Sequence, residues 1–563
     1  VLLESAAATN ISLAGDVAAY AGRAFEIQGE AWSVTSAITA TVLNITTASL
    51  IAADGELTAE IGLPAAYKTL SVQGDLKRPA TYIISEVAAG VAARITGGSI
   101  SDRFVVPDMR LLRGSTLING GSGDDTTEIT IVTQPGVDML VTANAMGLVL
   151  QDGHNASAAE TNSTTLRHTS IKRRTYIIKG AADTLSNVTL LGVERDDSVT
   201  VVAHGEPGGT IAQRITGCDG KSELRVTFQN GGLHEVRIGN NHQVTGMRCT
   251  VWLNAVANIS LTVHVVIEAS AETRPLQYDI QQNTILVYDV ENDGSFFHLM
   301  FNQIDRVDVQ FGLGGSVLRM AEGTVGTEYV FDFGTGARNA TNATNDDDDG
   351  GNDVTNIANI AATDSPLLLL GRITQVNIGP QQSRIGSTDP LKGILAPVAI
   401  AQQPPPQNAS AAPWEAASVR LAAGAGKAAP AQHYYLDGGC LGAQNRTASG
   451  NRVTPSHITI TPSADMCDLM TAYGLAAACV DPCPVVYTGP INVAIVTGWA
   501  DDSFYGVNVS QAIVTIELGP GADNVTWFAT PLAASGANGT GSVHPMTQFD
   551  LGAGADSVLL DSP

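Results

Sequence analysis

The chain has 563 residues, of which 44% are hydrophobic, 5% aromatic and 15% charged. This length allows roughly two to four domains, and a low-charge sequence rich in Gly, Thr and Val favours strands over long surface helices. The 55 acidic and 30 basic residues give a net charge of −25, which argues against binding to nucleic acid or to anionic membranes, because both need a basic surface.

Strand patterns dominate the first part of the chain, residues 1–335. Runs of β-branched and polar residues lie between Gly, Asn and Asp turns, which is typical of half-buried strands. We predict strands at 41–46, 128–132, 185–191, 198–202, 223–228, 258–267 and 285–290. We therefore expect an all-β fold with little helix, either a β-solenoid or tandem β-sandwich or jelly-roll domains, with an N-terminal strand arm.

A turn rich in Gly and Asp leads directly into a strand at residues 121–125, 519–523 and 552–556. These copies resemble the Gly-x-Gly-x-Asp-x-apolar core of RTX-type calcium-binding β-rolls, and the resemblance implies that calcium is a possible cofactor, with Asp124, Asp125, Asp523 and Asp556 as candidate ligands. RTX repeats follow one another in tandem, whereas these copies are isolated. The inference that survives is architectural: short strands joined by Gly/Asp corners.

The second part of the chain divides by composition. Residues 336–353 predict an acidic, glycosylated loop, and residues 354–400 continue the β pattern. A Pro/Ala/Gly-rich linker is expected at 401–430, followed by a Cys-containing β-rich C-terminal domain at 431–563. One helix is predicted near 464–475, where Met466, Leu469, Met470 and Tyr473 recur at helical spacing.

Six cysteines predict disulfides, because an even number in a secreted chain is typical of a disulfide framework. Cys218 and Cys249 form a local candidate pair in the first half. The other candidates would join the C-terminal region, with their pairing left open: Cys440, Cys467, Cys479 and Cys483.

Thirteen Asn-x-Ser/Thr triplets occur, about three times the number expected by chance. Several have the form Asn, Ile or Val, Ser/Thr, and in a strand this places Asn and Ser/Thr on the solvent face and the apolar residue in the core. With no apolar run approaching about 20 residues, the sequence predicts a secreted or cell-surface glycoprotein with covalent N-linked glycans and no membrane insertion. The candidate acceptors are Asn10, Asn44, Asn155, Asn162, Asn187, Asn258, Asn339, Asn342, Asn408, Asn445, Asn508, Asn524 and Asn538.

No catalytic constellation stands out, so we predict that the chain is not an enzyme and requires no cofactor. The acidic pairs 124–125, 196–197 and 501–502 are adjacent in sequence, and neighbours on a strand point to opposite faces. The chain contains neither a Gly-x-Ser-x-Gly nucleophile motif nor a His-x-x-x-His zinc pair.

Low charge, few aromatic residues and acceptor sites along the whole length resemble the composition of glycosylated fibril or mastigoneme-type surface proteins. This resemblance implies a structural subunit of an extracellular filament or surface layer, with copies of itself as partners. Apolar segments at 1–3, 11–13 and 558–560 are candidates for strand addition between subunits, head to tail. The alternatives are a calcium-dependent adhesin or carbohydrate-binding protein, and a polysaccharide-processing enzyme.

Overall fold

A computed structural model describes strands and connections over much of the chain. The described residues are 2–4, 24–28, 32–33, 42–46, 57–63, 69–73, 79–133, 139–144, 146–152, 163–180, 185–191, 198–218, 223–256, 261–290, 294–334, 356–379, 394–401, 417–422, 433–437, 440–443, 460–480, 483–488, 491–496, 501–507, 512–528 and 547–561.

The chain forms two compact units, each with two sheets that we call A and B. Unit 1 comprises residues 1–241, 245–265 and 297–304, and unit 2 comprises 242–244, 266–296 and 305–563. Two strands have residues assigned to both units, β22 (Leu261–Glu268) of sheet A and β25 (Gly294–Asn302) of sheet B.

In unit 1, successive strands alternate between the two sheets along most of the chain. Sheet A contains β1 (Leu2–Glu4), β2 (Ala24–Gln28), β4 (Val42–Thr46), β6 (Thr69–Gln73), β8 (Ala92–Thr96), β10 (Ser115–Asn119), β12 (Met139–Asn144), β13 (Gly147–Asp152), β14 (Ser163–Thr169), β16 (Leu185–Leu191), β18 (Thr210–Ile215) and β20 (Gly232–Ile238). Sheet B contains β3 (Trp32–Ser33), β5 (Leu57–Leu63), β7 (Ala80–Val87), β9 (Arg103–Val106), β11 (Thr126–Val132), β15 (Arg173–Lys179), β17 (Ser198–Gly205), β19 (Glu223–Asn230), β21 (Thr250–Ala255) and β25 (Gly294–Asn302).

In unit 2 the same alternation continues. Sheet A contains β26 (Arg306–Gln310), β28 (Glu328–Asp332), β30 (Leu367–Leu370), β32 (Val398–Ala401), β34 (His433–Asp437), β35 (Cys440–Ala443), β36 (Val485–Thr488), β38 (Ser503–Val507), β40 (Asn524–Phe528) and β42 (Ser557–Asp561). Sheet B contains β23 (Leu276–Gln281), β24 (Thr284–Asp289), β27 (Ser316–Glu322), β29 (Asn356–Ile360), β31 (Gln375–Ile378), β33 (Ala417–Ala422), β37 (Ile491–Val496), β39 (Ala512–Glu517) and β41 (Thr547–Asp550). Two helices accompany them, α1 (Ala464–Ala472) and α2 (Ala477–Val480).

Pairing within each sheet is mainly parallel between consecutive coils, so each unit is a β-solenoid rather than a set of sandwiches. In β17, for example, Val199, Val201 and Ala203 are buried while the residues between them are half-exposed. Parallel register stacks such inward residues into columns that form the core. One buried column of unit 1 runs through Ile129, Tyr176, Val201, Val226, Leu253 and Phe301.

Among the described strands, antiparallel pairs interrupt this pattern at three places. The strand β13 lies between β12 and β14 in unit 1, β35 lies between β34 and β36 in unit 2, and β23 pairs with β24. Each insertion adds a hairpin to one sheet, which lengthens that coil.

Both helices pack on the outward face of sheet A in unit 2. The Ser463 hydroxyl caps α1 by accepting the Met466 N–H at 3.2 Å. Apolar helix residues, among them Met466 and Met470, pack with outward residues of β28, β30, β32 and β36, and this cover explains why β30 and β32 are buried on both faces.

The predicted strands and the predicted helix are confirmed, with ends that differ by a few residues. Residues 257–260, at the start of the strand predicted at 258–267, lie outside the described residues, as does the whole predicted loop at 336–353. Within the stretch predicted as a linker, Ala417–Ala422 forms a strand between β31 and β37. The domain boundaries drawn from composition stay predictions.

Candidate functional site

The corners that join successive strands contain buried aspartates. In unit 1, Asp102 precedes β9 and Asp125 precedes β11, and their side chains are 2% and 0% exposed. The N–H of Asp102 donates to Oδ1 of Asp125 at 2.7 Å, and the N–H of Gly98 donates to Oδ2 of Asp102 at 2.6 Å. Each carboxylate therefore satisfies a backbone donor that the turn would otherwise bury without a partner.

Glycine permits these corners to stack closely. Gly121 has φ +87°, and a Cβ at this position would collide with the carbonyl oxygen of Gly98 in the adjacent corner. The backbone of one corner thus packs directly on the next, which only a residue without a side chain allows.

Unit 2 repeats this arrangement. The N–H of Asp502 donates to Oδ1 of Asp523 at 2.7 Å, and the N–H of Asp523 donates to Oδ1 of Asp556 at 3.1 Å. A Cβ on Gly552 or Gly554 would meet the backbone of the preceding corner. The same chemistry at two places indicates that the Gly/Asp turns serve as solenoid corners.

The candidate calcium ligands have other partners. Oδ1 of Asp125, Asp523 and Asp556 accepts a backbone N–H, while the exposed Asp124 forms an ion pair with Lys172 at 2.7 Å. Across the described ranges, no group of three or more His, Cys, Asp or Glu is arranged to hold a metal ion. Calcium binding stays a prediction.

Asp124 and Asp125 are neighbours in the chain, but their pKa values shift in opposite directions. Desolvation raises the pKa of Asp125 to about 6, and it also raises the pKa of Asp523. The hydrogen bond and charge of Lys172 lower the pKa of Asp124. As expected, the pairs 124–125 and 501–502 do not converge, because one member of each is exposed and the other buried. The pair 196–197 lies outside the described residues.

Sequence reasoning missed Asp102. The three copies first recognised have a second glycine two residues before the aspartate, and Ile100 occupies that position here. The relaxed pattern Gly-x-x-x-Asp directly before a strand would have found this corner.

A cavity of about 430 Å³ lies beside the corner at residues 121–123 in unit 1. Its lining includes the basic side chains of His168, Lys172 and Arg174. His168 is 1% exposed, and neither of its ring nitrogens has a hydrogen-bond partner. Burial, together with the charge of Arg174, lowers the pKa of His168 to about 4, so the imidazole is neutral at pH 7.

The acceptor Asn524 lies as the sequence pattern predicts. Its side chain is exposed, Val525 is buried and Thr526 is half-buried, and Oδ1 of Asn524 accepts the Ser557 hydroxyl at 2.9 Å. Glycosylation itself stays a prediction.

Two more acceptors, Asn44 and Asn187, lie within β4 and β16 of sheet A. In the parallel register, Asn44 pairs with Ser71, and Ser71 pairs with Arg94, which is exposed. The remaining candidate acceptors lie outside the described residues: Asn10, Asn155, Asn162, Asn258, Asn339, Asn342, Asn408, Asn445, Asn508 and Asn538.

Three disulfides are formed. The predicted bond between Cys218 and Cys249 is confirmed, with Cα atoms 5.6 Å apart. The structure decides the pairing that the sequence left open, which is Cys440–Cys483 and Cys467–Cys479. Such bonds are typical of an oxidising compartment.

The last coil of unit 2 exposes residues that continue core columns. Val558 and Leu560 are register partners of the buried Val525 and Trp527, yet they are 38% and 67% exposed. Among the described strands, β42 has one neighbour, β40. The outer edge of β42 is therefore unpaired within the described part of the chain.

No family model matches this chain, and neither a curated protein nor a solved structure matches it significantly. Neither α1 nor α2 is long and apolar enough to cross a membrane, and no other described helix is.

Proposed function

We propose that this chain is a structural subunit of a secreted, heavily N-glycosylated filament or surface layer that polymerises head to tail. The observation that supports this function best is the exposed apolar edge at β42. Val558 and Leu560 occupy inward register positions, and a further coil would bury both of them. Open sheet edges with exposed apolar residues are sites where another chain adds.

The N-terminal coil of another copy is the proposed occupant. There β1 pairs with β2, and Leu3 begins a register column that continues through Ile27, Ile45 and Val72 to the buried Ile95. Addition of β1 along β42 would extend a parallel sheet and join one core column to another. Because the two surfaces differ, the contact is heterologous, and it generates a filament when the rotation between successive copies does not close a ring.

The acceptor positions agree with this assembly. Asn44, Asn187 and Asn524 lie in strands of sheet A, and a glycan on the exposed Asn524 would project from a sheet face rather than along the direction in which coils stack. A filament formed in this way would carry sugar on its side.

Electron microscopy of the glycoprotein from a glycosylating host tests the proposal. Leu560→Lys removes an inward apolar contact worth about 1.5–3 kcal/mol, so we expect the critical concentration for assembly to rise at least about tenfold. The matched control is Leu559→Lys, because Leu559 is the register partner of the half-buried, outward Thr526. Deletion of residues 1–15 should leave monomers.

Two results would contradict the proposal. Normal filaments after the deletion, or equal effects of the two lysine substitutions, would exclude end-to-end strand addition. Digestion with an N-glycosidase tests the carbohydrate separately, and an unchanged mass would exclude N-glycosylation.

A further inference from the structure

Two exposed arginines lie close together on the outward face of sheet A in unit 1. Arg94 of β8 and Arg167 of β14 are exposed, and both are register partners of Leu117 in β10, which is half-buried. Because neighbouring strands lie about 4.8 Å apart, the two arginine positions, two strands from each other, are separated by about 9.6 Å. We call Arg94, Leu117 and Arg167 the arginine patch.

Within the described register of sheet A, no carboxylate flanks the arginine patch. The flanking outward positions of β8, β10 and β14 carry small or neutral polar side chains: Ala92, Thr96, Ser115, Asn119, Thr165 and Thr169. On the far sides, Arg94 pairs in register with Ser71 and Arg167 with Gly147.

This neutral surrounding differs from that of other arginines in the solenoid. Four arginines on other strands form ion pairs with a nearby carboxylate: Arg103–Glu128, Arg225–Glu223, Arg237–Glu235 and Arg306–Asp308. In a chain with 55 acidic and 30 basic residues, the arginine patch is therefore a locally basic surface whose charges are not neutralised within the sheet.

The sequence contains an acidic segment that fits this surface. Residues 346–349 are four consecutive aspartates, the longest acidic run in the chain. In a polyproline II conformation, with three residues per turn and a rise of about 3.1 Å per residue, Asp346 and Asp349 would face the same side about 9.3 Å apart. This spacing matches that of the two arginines, and arginine–carboxylate pairs are commonly bidentate.

We propose that the arginine patch binds residues 346–349 of a second copy of this chain. Arg94 and Arg167 pair with Asp349 and Asp346 or with the same two aspartates in the opposite direction, and Leu117 packs under the bound segment. Repulsion between two chains of net charge −25 is screened beyond about 8 Å at physiological ionic strength, so the local attraction decides the contact.

The contact would join copies side to side. The patch lies on a sheet face, which is perpendicular to the direction in which coils stack. An exposed ion pair is weak, but in a filament the patch recurs on every copy and the weak contacts add. This role in holding filaments together rests on the proposed function, whereas binding of the acidic segment to a single chain does not.

Fluorescence anisotropy with synthetic peptides tests the patch on the full chain. The probe is a labelled peptide of residues 343–353, which begins after the acceptor Asn342 and therefore carries no glycan. We expect binding that weakens as salt is added. Two further peptides have equal charge: Asp347→Asn with Asp348→Asn keeps the matching pair and should bind, whereas Asp346→Asn with Asp349→Asn should bind at least about tenfold more weakly.

A double substitution in the protein tests the same contact from the other side. Arg94→Gln with Arg167→Gln removes two charge-assisted donors, so affinity for the 343–353 peptide should fall at least about tenfold. The matched control is Lys179→Gln with Arg248→Gln, which removes the same charge at exposed positions of sheet B, in β15 and two residues before β21. The control should bind the peptide as wild type does.

Mixing two variants shows whether the partner is a second copy. One variant carries Arg94→Gln and Arg167→Gln, and the other carries Asn at all four positions 346–349; both carry Leu560→Lys to prevent end-to-end addition. Each variant alone lacks the contact, whereas an equimolar mixture retains one patch and one acidic run. We expect sedimentation equilibrium to show association in the mixture only.

Four results would overturn the proposal: no peptide binding, equal binding of the two peptides of equal charge, equal losses in the two double variants, or no association in the mixture. Electron microscopy separates this outcome from that of the proposed function. Single filaments formed by the Arg94→Gln, Arg167→Gln variant would leave head-to-tail addition standing, and peptide binding is measurable whether or not filaments form.

Discussion

Replacing Asp125 by Asn should change how stability depends on pH. The side chain is fully buried, with Oδ1 accepting the Asp102 N–H while Oδ2 has no hydrogen-bond partner. The substitution keeps the acceptor at Oδ1 and removes the charge. It therefore isolates the cost of holding a carboxylate ionised in this corner.

The pKa values set the size and the sign of the effect. Burial raises the pKa of Asp125 from 3.8 to about 6, so the folded state favours the protonated carboxyl. The stability contributed by that proton is fully present below pH 3.8 and is lost as pH rises through 6. A shift of about two units corresponds to about 3 kcal/mol. Relative to wild type, Asp125→Asn should therefore gain about 2–3 kcal/mol between pH 4 and pH 8.

Urea unfolding at several pH values, read by hydrogen exchange in peptides covering 98–132, measures this corner locally. Asp124→Asn is the control with the opposite sign, because Lys172 lowers the pKa of Asp124 and its contribution is present above pH 3.8 and lost as pH falls. Parallel stability curves for wild type and Asp125→Asn from pH 4 to pH 8 would refute the reasoning.

Three further substitutions address the corners, the disulfides and the helical cover. Gly121→Ala should cost about 2–4 kcal/mol in urea unfolding, because φ is +87° and the new Cβ meets Gly98. Replacing Cys218 and Cys249 by Ser opens a link across 31 residues and should cost about 3–4 kcal/mol. Met470→Ala leaves a cavity under α1 and should cost about 2–5 kcal/mol, measured by exchange in peptides of β30.

Each substitution has a matched control. Gly90 has φ +80° with nothing within 4 Å of a new Cβ, so Gly90→Ala should cost about 1 kcal/mol. Equal losses at Gly90 and Gly121 would contradict the corner-stacking argument. The serine variant lacks the Cys218–Cys249 disulfide, so any effect of a reducing agent on its stability must come from the other two disulfides. Asp468 is an exposed residue of α1, so Asp468→Ala should leave the helix in place.

Local patterns predicted local structure well. The alternation in 198–202 predicted a strand that the structure extends to Gly205, and the spacing of Met466 and Met470 predicted the helix whose buried residues they are. The form of the Asn524 triplet correctly predicted which residues face solvent and which enter the core. Each of these features depends on residues close together in the chain.

The candidate site was predicted only in part. The Gly/Asp turns were recognised as corners, but the bond between Asp102 and Asp125 joins residues 23 positions apart. The cavity brings Gly121 and His168 to one place, and no spacing in the sequence relates them. Such contacts follow from how far each coil runs before it returns, which depends on loop lengths and register.

By itself, the sequence predicted strand content, the inward and outward faces, three of the Gly/Asp corners and a candidate Cys218–Cys249 pair, because periodicity and turn chemistry act over a few residues. Only the tertiary structure decided between solenoid and sandwich, paired the other four cysteines, and placed Leu560 on the exposed outer edge of β42. These features depend on which strands become neighbours. Strand neighbours are decided by the packing of core side chains that come from coils far apart in the sequence.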